Sequence, residues 1–377
     1  MTVFPNVNED RRREMFADVD GPTRVLIDTD ANNEIDDQFA MAWALLSPER
    51  IEVEAVVAEP FGHLHYRQRV VEAAKALRAG REPDSDNLMG YWARHLIAEG
   101  IDPATMDMWG PAEGMETSYE EIKTVLSKMG LPSDGVAFRG ADRYMSAPDA
   151  PVRSEGAERI IEGALAGDER PLHVVAIGCV TNVSSALLMA PEIATKMVVS
   201  WTSGYPTWTD FGNHTSLNLV QDPHASRLLY DSGVPLVYLP GFYIGAQLVI
   251  SLPEMEAYFR GKGEIGDYLY HLYTHNPIRI DRGVKFFPGQ SWIVWDLINI
   301  AWLINRHWVP TRTVQTPRLD DDLVWRQRPN APTMLEAIDI NRDAIYGDLI
   351  EKLDRQDDIL PGVRARLQSL TGGAGAR

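Results

Sequence analysis

Short apolar runs alternate with segments whose apolar positions recur at helical spacing through most of the chain. In the first such pair, an apolar run at residues 24–27 precedes a stretch in which Phe39, Trp43 and Leu46 share one helix face. This alternation is typical of parallel strands joined by crossover helices. The sequence therefore predicts a single α/β domain with a mostly parallel, Rossmann-like sheet and helices on both faces.

The same patterns predict the remaining elements. Strands are expected at 51–57, 136–138, 172–177, 197–201 and 235–239, and helices at 66–77, 119–129, 156–165, Thr181–Met189, Pro223–Asp231, 253–274, 292–304 and 344–353. Residues 311–340 alternate as a hairpin does. Residues 79–118 are rich in Gly, Pro, Asp and Met, and they interrupt the alternation of strand and helix patterns. They predict an insertion with some helix, near the edge of the sheet.

The ends of the chain differ from this central part. We expect residues 1–22 to form a polar N-terminal arm and residues 23–355 to form the folded domain. Residues 356–377 are expected to form a C-terminal tail, with disorder over its last part, 369–377.

Composition excludes several kinds of partner and compartment. The 377 residues carry a net charge of −18 without a stripe of Lys or Arg, which argues against binding to nucleic acid or to an anionic membrane. The single cysteine, Cys179, cannot form an intrachain disulfide and suits a reducing compartment. No apolar run is long enough to span a bilayer, and no signal-peptide pattern opens the chain. We expect a cytoplasmic protein.

The most informative segment is the acidic turn at residues 28–37, which follows the first apolar run. It contains Asp28, Asp30, Glu34, Asp36 and Asp37. A buried strand that turns into a helix places these groups at the carboxyl edge of the sheet, where open α/β sheets bind ligands. Converging carboxylates repel one another unless a cation neutralises them. Ligand sets made only of oxygen favour a hard ion such as Ca²⁺ or Mg²⁺.

Other interpretations explain fewer of these residues. Aspartates at a helix start often serve only as caps, but a cap requires one or two of them. Phosphatases of the haloacid dehalogenase type also carry Asp-x-Asp after the first strand, but their scheme leaves Asp36 and Asp37 without a role. Response-regulator receiver domains have an early pair of aspartates in a far shorter chain.

The acidic turn resembles the hallmark of the inosine–uridine-preferring nucleoside hydrolases, namely Asp-x-Asp, a short turn and then Asp-Asp at a helix start. Three further landmarks follow in the order typical of that family. A strand and turn lead to Thr181-Asn182, Asn218 stands shortly before Asp222, and Asp296 opens a buried helix. The resemblance extends from about residue 23 to residue 353 and is interrupted by the insertion.

This resemblance implies the nucleoside hydrolase fold and Ca²⁺-dependent cleavage of the N-glycosidic bond of ribonucleosides, which releases free base and ribose. It implies an ion held by Asp30, Asp37, Asp296 and the backbone carbonyl of Ile177. Asp30 would be the base that activates the attacking water, and the transition state would resemble an oxocarbenium ion. Such an enzyme would act in purine salvage as a homodimer or homotetramer.

The resemblance also implies contacts with the substrate. Asp36 and Asn218 would bind ribose hydroxyls, and Asn213 would approach the 5′ end of the ribose. Asp28 and His63 would have supporting roles. His63 and Glu59 lie nearest to the place where the family has an Asn after its second strand.

Two positions depart from the family pattern. Trp295 stands where many members have a His that acts on the leaving base, and a purine-preferring branch has Trp there. A second aromatic wall would then come from Trp92, Trp109 or Trp208. Ser216 replaces a Glu associated with the 5′-hydroxyl, which leaves room for a 5′-modified N-riboside. A sugar- or nucleoside-binding relative that keeps the metal pocket without turnover is the alternative function.

Overall fold

Eight strands form the central sheet of the computed structural model, which describes residues 2–83, 87–106, 108–276 and 290–372. The strands of this sheet are β1 (Thr23–Thr29), β2 (Ile51–Ala58), β3 (Ala137–Arg139), β4 (Leu172–Ala176), β5 (Met197–Ser203), β6 (Leu236–Pro240), β9 (Thr311–Gln315) and β12 (Thr333–Ala337). They lie in the order β3-β2-β1-β4-β5-β6-β12-β9. All neighbours pair parallel except β9, which is antiparallel to β12. The predicted α/β sheet and the predicted hairpin are confirmed.

Helices cover both faces of the sheet. They are α1 (Glu9–Phe16), α2 (Asp36–Leu45), α3 (Arg67–Arg78), α4 (Asn87–Ala98), α5 (Pro111–Lys128), α6 (Glu155–Ala164), α7 (Thr181–Met189), α8 (Leu217–Val220), α9 (Pro223–Asp231), α10 (Leu252–Tyr258), α11 (Gly263–Thr274), α12 (Leu297–Ile304), α13 (Arg342–Asp354) and α14 (Gln356–Gly372). Two small antiparallel pairs complete the described part, namely β7 (Val249–Ser251) with β8 (Ser291–Ile293) and β10 (Arg318–Leu319) with β11 (Trp325–Arg326).

The alternation of side chains along β1 separates two hydrophobic cores. Val25 and Ile27 pack with α2 and α12 on one face, while Leu26 packs with α6, α7 and α9 on the other. Every residue of β1 is buried, as expected for a central parallel strand that is covered on both faces.

Four neighbouring strands end at one edge of the sheet and place their next residues side by side. The strands are β1, β4, β5 and β6, and the residues that follow them are Asp30, Ile177, Gly204 and Gly241. This carboxyl edge is where the acidic turn was expected to lie.

The insertion at residues 79–118 folds into α4 and the start of α5. Met89 and Leu96 of α4 pack against Val70 and Ala73 of α3, and together they form a small core of their own. The described residues of the insertion therefore do not extend the sheet. They build a helical layer beside the carboxyl edge.

Two predicted helices differ from the structure. The segment 292–304 was expected to be helical throughout, but Trp292 lies in β8, which pairs with β7, and the helix begins only after Asp296. The segment 253–274 forms two helices, because Gly261 and Gly263 adopt positive φ of 77° and 71° between them.

The prediction of a tail was wrong for residues 356–372, which form α14. Leu360, Val363 and Leu367 are buried and belong to the same hydrophobic core as α2. Residues 373–377 lie outside the described part of the chain. No helix among the described residues is long and apolar enough to cross a membrane.

The N-terminal arm is held by one buried guanidinium. Arg12 of α1 is 1% exposed and donates to the carbonyls of Val7 and Thr333, each at 3.2 Å. It also donates to the carbonyl of Val234 at 3.4 Å and to that of Gly233. Hydrogen bonds to a charged donor are among the stronger ones, so this side chain fastens the arm to the entry of β6 and to β12.

Replacing Arg12 by Met should destabilise the protein by about 1.5–3 kcal/mol, the range for hydrogen bonds to charged groups, because buried carbonyls lose their donor. Urea unfolding followed by circular dichroism measures this loss. Arg13→Met is the matched control, since Arg13 is an exposed neighbour on the same helix with one surface ion pair. Equal stability of the two variants would show that the arm is not fastened in this way.

Candidate active site

Three buried carboxylates from two helices converge at the carboxyl edge of the sheet. Asp36 and Asp37 occupy the first turn of α2, and Asp296 precedes the first turn of α12. One oxygen of each lies within 4.8 Å of the others. We call this group the acidic cluster. The side chain of Asp296 makes no capping hydrogen bond, so the cap interpretation does not account for it.

Burial makes the charged form of these groups costly. It raises the pKa of all three carboxyls well above the usual value, and the next cause is repulsion by Asp30 for Asp37 and by Asp36 for Asp296. For Asp36 the next cause is repulsion by Glu34. A cation between the three would remove this cost.

Asp30 lies beside the acidic cluster, but its carboxylate is not one of the three that converge. Asn33 donates to its Oδ2 at 2.9 Å, so that Oδ1 is its other acceptor oxygen. Burial raises the pKa of Asp30 to about 7, and repulsion from Glu34 acts in the same direction. Asn33 received no role from the sequence, although its position three residues after Asp30 in the same turn brings their side chains together.

A second carboxyl pair lies behind Asp30. Asp28 accepts a hydrogen bond from Asn182 at 2.9 Å, and both Asp28 and Glu59 are fully buried. Burial raises the pKa of Asp28 to about 7 and that of Glu59 well above its usual range. A Cβ at Gly178 would lie 2.5 Å from Glu59 and 2.7 Å from Asp30, so only glycine fits between them.

Asn218 connects the ends of two strands. Its Nδ2 donates to the carbonyl of Ile177 at 2.8 Å and to that of Thr202 at 3.0 Å. Ile177 therefore presents its carbonyl at the edge as expected, with one of its two lone pairs already engaged. The side chains of Asn218 and Ile177 both line the cavity described below.

Asn213 does not line that cavity. It is fully buried, its Oδ1 accepts from the backbone N–H of Tyr205 at 2.7 Å, and its Nδ2 donates to the carbonyl of Leu323 at 2.8 Å. We therefore correct the expected substrate contact, because both ends of this amide hold the loop that follows β5.

A cavity of about 660 Å³ opens above the carboxylates. Its floor contains Asp30, Glu34 and the acidic cluster, and Trp295 lies beside this floor. Another part of its lining is aromatic and sulfur-rich. It is formed by Phe61, Tyr66, Met89, Trp92, Met106, Met108 and Trp109. Most of these residues belong to the insertion, from which the sequence analysis had offered only Trp92 and Trp109 as candidates for the site.

The remaining aromatic and histidine candidates differ in whether they line the cavity. His63 lines the cavity, with its ring 6.0 Å from that of Trp92 in an edge-on arrangement. Trp208 lies outside the cavity, under the guanidinium of Arg312 at 4.5 Å. Of the three tryptophans considered for a second aromatic wall, Trp92 and Trp109 therefore line the cavity and Trp208 does not.

The chain has the sequence features of one enzyme family over most of its length. The sequence model of that family, described as "Inosine-uridine preferring nucleoside hydrolase", matches residues 25–346. The chain belongs to this nucleoside hydrolase family. It is a hydrolase of N-glycosyl bonds, its family is metal-dependent, and ribonucleosides are its class of substrate.

Named relatives in this family differ in the base that they prefer. The chain is 23% identical to the pyrimidine-specific ribonucleoside hydrolase RihA of Salmonella schwarzengrund over 350 residues, which cover 87% of this chain and 97% of that one. It is 25% identical to the non-specific ribonucleoside hydrolase RihC of the same organism over 287 residues, or 74% of this chain and 78% of that one.

The fold agrees with solved structures of nucleoside hydrolases. The purine-preferring ribonucleoside hydrolase from Gardnerella vaginalis superposes with a TM-score of 0.59 at 14% identity, covering 89% of this chain and 100% of that one. The predicted nucleoside hydrolase fold is therefore confirmed.

The raised carboxyl pKa values predict how stability depends on pH in the ion-free enzyme. The pKa of Asp30 rises from 3.8 to about 7, so the folded state binds protons more tightly than the unfolded state over this range. The free energy of unfolding should therefore fall as pH rises from about 4 through 7 and above. Thermal unfolding in EDTA should show a Tm that falls as pH rises, and excess Ca²⁺ should make this decrease smaller.

The variant Asp296→Asn should flatten this pH slope in EDTA, because it removes one of the repelling charges. Asp339→Asn is the control, since Asp339 is exposed and lies outside the cavity. A Tm that rises over the same pH range would contradict the assignment of the acidic cluster.

Proposed function

We propose that this protein is a Ca²⁺-dependent ribonucleoside hydrolase that favours purine-like bases and releases free base and ribose. The observation that carries the proposal is the position of Asp30 and the acidic cluster on the floor of a cavity with an aromatic wall. The charged floor suits an ion and ribose hydroxyls, whereas the wall suits a flat, apolar base.

The acidic cluster fits a hard divalent cation. Its donors are all carboxylate oxygens, they are buried, and they lie close enough to share one ion. Asp37, Asp296 and the Ile177 carbonyl would hold the ion, and Asp30 lies beside them. A bound Ca²⁺ supplies positive charge that keeps these carboxylates ionised and makes a nearby water more acidic.

Asp30 would act as the general base. Since Asn33 donates to Oδ2, Oδ1 is the oxygen that takes the proton from the attacking water. Its pKa near 7 in the ion-free protein is close to the pH at which a general base works best. A nearby cation would lower this value, which favours the ionised form that the reaction needs.

Asp36 and Asn218 would orient the ribose. The amide hydrogens of Asn218 are donated to the carbonyls of Ile177 and Thr202, so its Oδ1 would accept a ribose hydroxyl. Asp36 would accept a second hydroxyl from the floor of the cavity. These contacts would hold C1′ at a fixed distance from the carboxylate of Asp30.

Trp295 would contact the leaving base. An indole cannot donate a useful proton at neutral pH, but its face stacks on planar rings. With Trp92 and Trp109 on the other wall, a bicyclic base gains more contact than a pyrimidine. This contact favours purine nucleosides.

With Ca²⁺ present, the wild-type enzyme should release free base and reducing sugar from inosine, adenosine or guanosine. Asp30→Asn keeps the shape but removes the proton acceptor, so kcat should fall by at least about 10²-fold. Chromatography of the free base measures turnover, and calorimetry measures Ca²⁺ binding separately.

Asp339→Asn serves as the control for this experiment and should match the wild type. Binding of nucleosides without any turnover by the wild type would instead identify a non-catalytic relative that keeps the metal pocket. Near-native turnover in Asp30→Asn would remove Asp30 from the mechanism.

Trp295→Ala should slow purine nucleosides more than nitrophenyl riboside, whose leaving group needs no assistance. Stacking on an aromatic side chain is worth about 1–3 kcal/mol per base, so a loss of roughly 5- to 150-fold in kcat/KM is expected for inosine. Trp208→Ala is the matched control, because Trp208 lies outside the cavity. A wild-type preference for uridine, or equal slowing of both substrates, would refute the stacking role.

A further inference from the structure

Four aromatic side chains form a connected group, one member of which, Phe242, lines the cavity. The ring of Tyr205 lies 4.5 Å from that of Phe242, 5.2 Å from that of Phe211 and 5.8 Å from that of Tyr243. The rings of Phe211 and Tyr243 are 6.2 Å apart. We call these four residues the rim platform.

Two members of the rim platform present their rings to solvent. Phe211 is 52% exposed and Tyr243 is 54% exposed. Tyr243 also has a φ of 68°, a conformation that is unfavourable for a bulky residue. The hydrophobic core requires neither the exposed rings nor the positive φ of Tyr243. Exposed apolar patches often mark binding sites, and strained backbone positions concentrate at functional sites.

The rim platform is rigidly attached to the site. The backbone N–H of Phe242 donates to the carbonyl of Gly204 at 3.0 Å, which joins the loops that follow β6 and β5. The carbonyl of Tyr205 accepts from the hydroxyl of Tyr238 and from the indole of Trp325, each at 2.8 Å. An aromatic group held in this way can bind a ring without losing much conformational entropy.

The rim platform is also continuous with the cavity. Phe242 and Gly204 line the cavity, and the ring of Phe242 packs on that of Tyr205, which in turn contacts both exposed rings. Ser216 lies between them and Asn218, and its hydroxyl accepts from the N–H of Gly204 at 2.8 Å. The proposed function assigns the ribose hydroxyls to Asp36 and Asn218 and the base to Trp295, which leaves the side of the cavity at Ser216, Gly204 and Phe242 for the 5′ end.

We propose that the rim platform binds a second planar group that is joined to the 5′ position of the ribonucleoside through an uncharged link. This inference rests on the proposed function, which fixes the orientation of the ribose. The natural substrates are then 5′-aryl- or 5′-heteroaryl-substituted nucleosides. Their second ring stacks on Phe211 and Tyr243 while the N-glycosidic bond lies above the acidic cluster.

Charge argues for an uncharged link. The cavity floor carries five carboxylates, those of Asp30, Glu34 and the acidic cluster, and none of the described residues that line the cavity is Lys or Arg. A phosphate link would lie near these acids without a cationic side chain from the described lining. A thioether or ether link avoids this repulsion.

The test compares two neutral substrates with the same link, 5′-deoxy-5′-phenylthioinosine and 5′-deoxy-5′-methylthioinosine. In the wild type, kcat/KM should be about 5- to 150-fold higher for the phenylthio compound, the gain expected from stacking one ring. In the double variant Phe211→Ala/Tyr243→Ala this ratio should fall to near one. Tyr258→Ala is the control, because Tyr258 is an exposed tyrosine on α10. It should keep the wild-type ratio.

The possible outcomes separate this inference from the proposed function. A ratio near one in the wild type, with inosine still hydrolysed, overturns the rim platform and leaves the hydrolase intact. If no nucleoside is hydrolysed, the affinities of the same two compounds, measured by calorimetry, test the rim platform instead. A preference for the phenylthio compound that the double variant loses supports the platform, and equal binding overturns it. Concentration-dependent dimerisation that the double variant abolishes would also overturn it, since the rings would then be an interface between two copies.

Discussion

Repulsion among carboxylates that are held out of water is the constraint on which this structure depends. Asp36 and Asp37 arrive on α2 and Asp296 on α12, and the two helices meet through a continuous apolar core that includes Phe39 and Trp302. Every residue of α12 is buried. Without a cation the acids oppose the approach of these helices, so burial of apolar surface must offset the repulsion. The folded state is therefore less stable because of the carboxylates that the proposed reaction uses.

The proposed function assigns the chemistry and the choice of substrate to different parts of the chain. The sheet edge provides the acids and the carbonyl of Ile177, which are fixed by the register of neighbouring parallel strands. The apolar wall comes from the insertion at 79–118, and the rim platform comes from the loops after β5 and β6. Loops tolerate sequence change more readily than strands do. Members of a family that share one reaction can therefore differ in the base and in the substituent that they prefer. The contrast between the pyrimidine-specific and non-specific relatives is consistent with this division.

The sequence predicts local structure well and three-dimensional proximity less well. The helices Thr181–Met189 and Pro223–Asp231 have the predicted bounds, because apolar periodicity and helix-start residues specify them locally. The acidic turn was placed correctly for the same reason. That Asp36 converges with Asp296 while Asp30 stands beside them depends on how two helices pack. The role of Asn213 in holding its loop depends on Leu323, which is distant in sequence, and no local pattern indicates that contact.

The clasp made by Arg12 has a consequence for how the protein assembles during synthesis. Arg12 is translated among the first residues, but its acceptors at Gly233, Val234 and Thr333 leave the ribosome much later. The hydrogen bonds to these three residues therefore cannot form while β1 to β5 are being made. The full set requires Thr333 of β12, which pairs with β6. A nascent or truncated chain that lacks β12 thus lacks one of the acceptors that fasten the N-terminal arm.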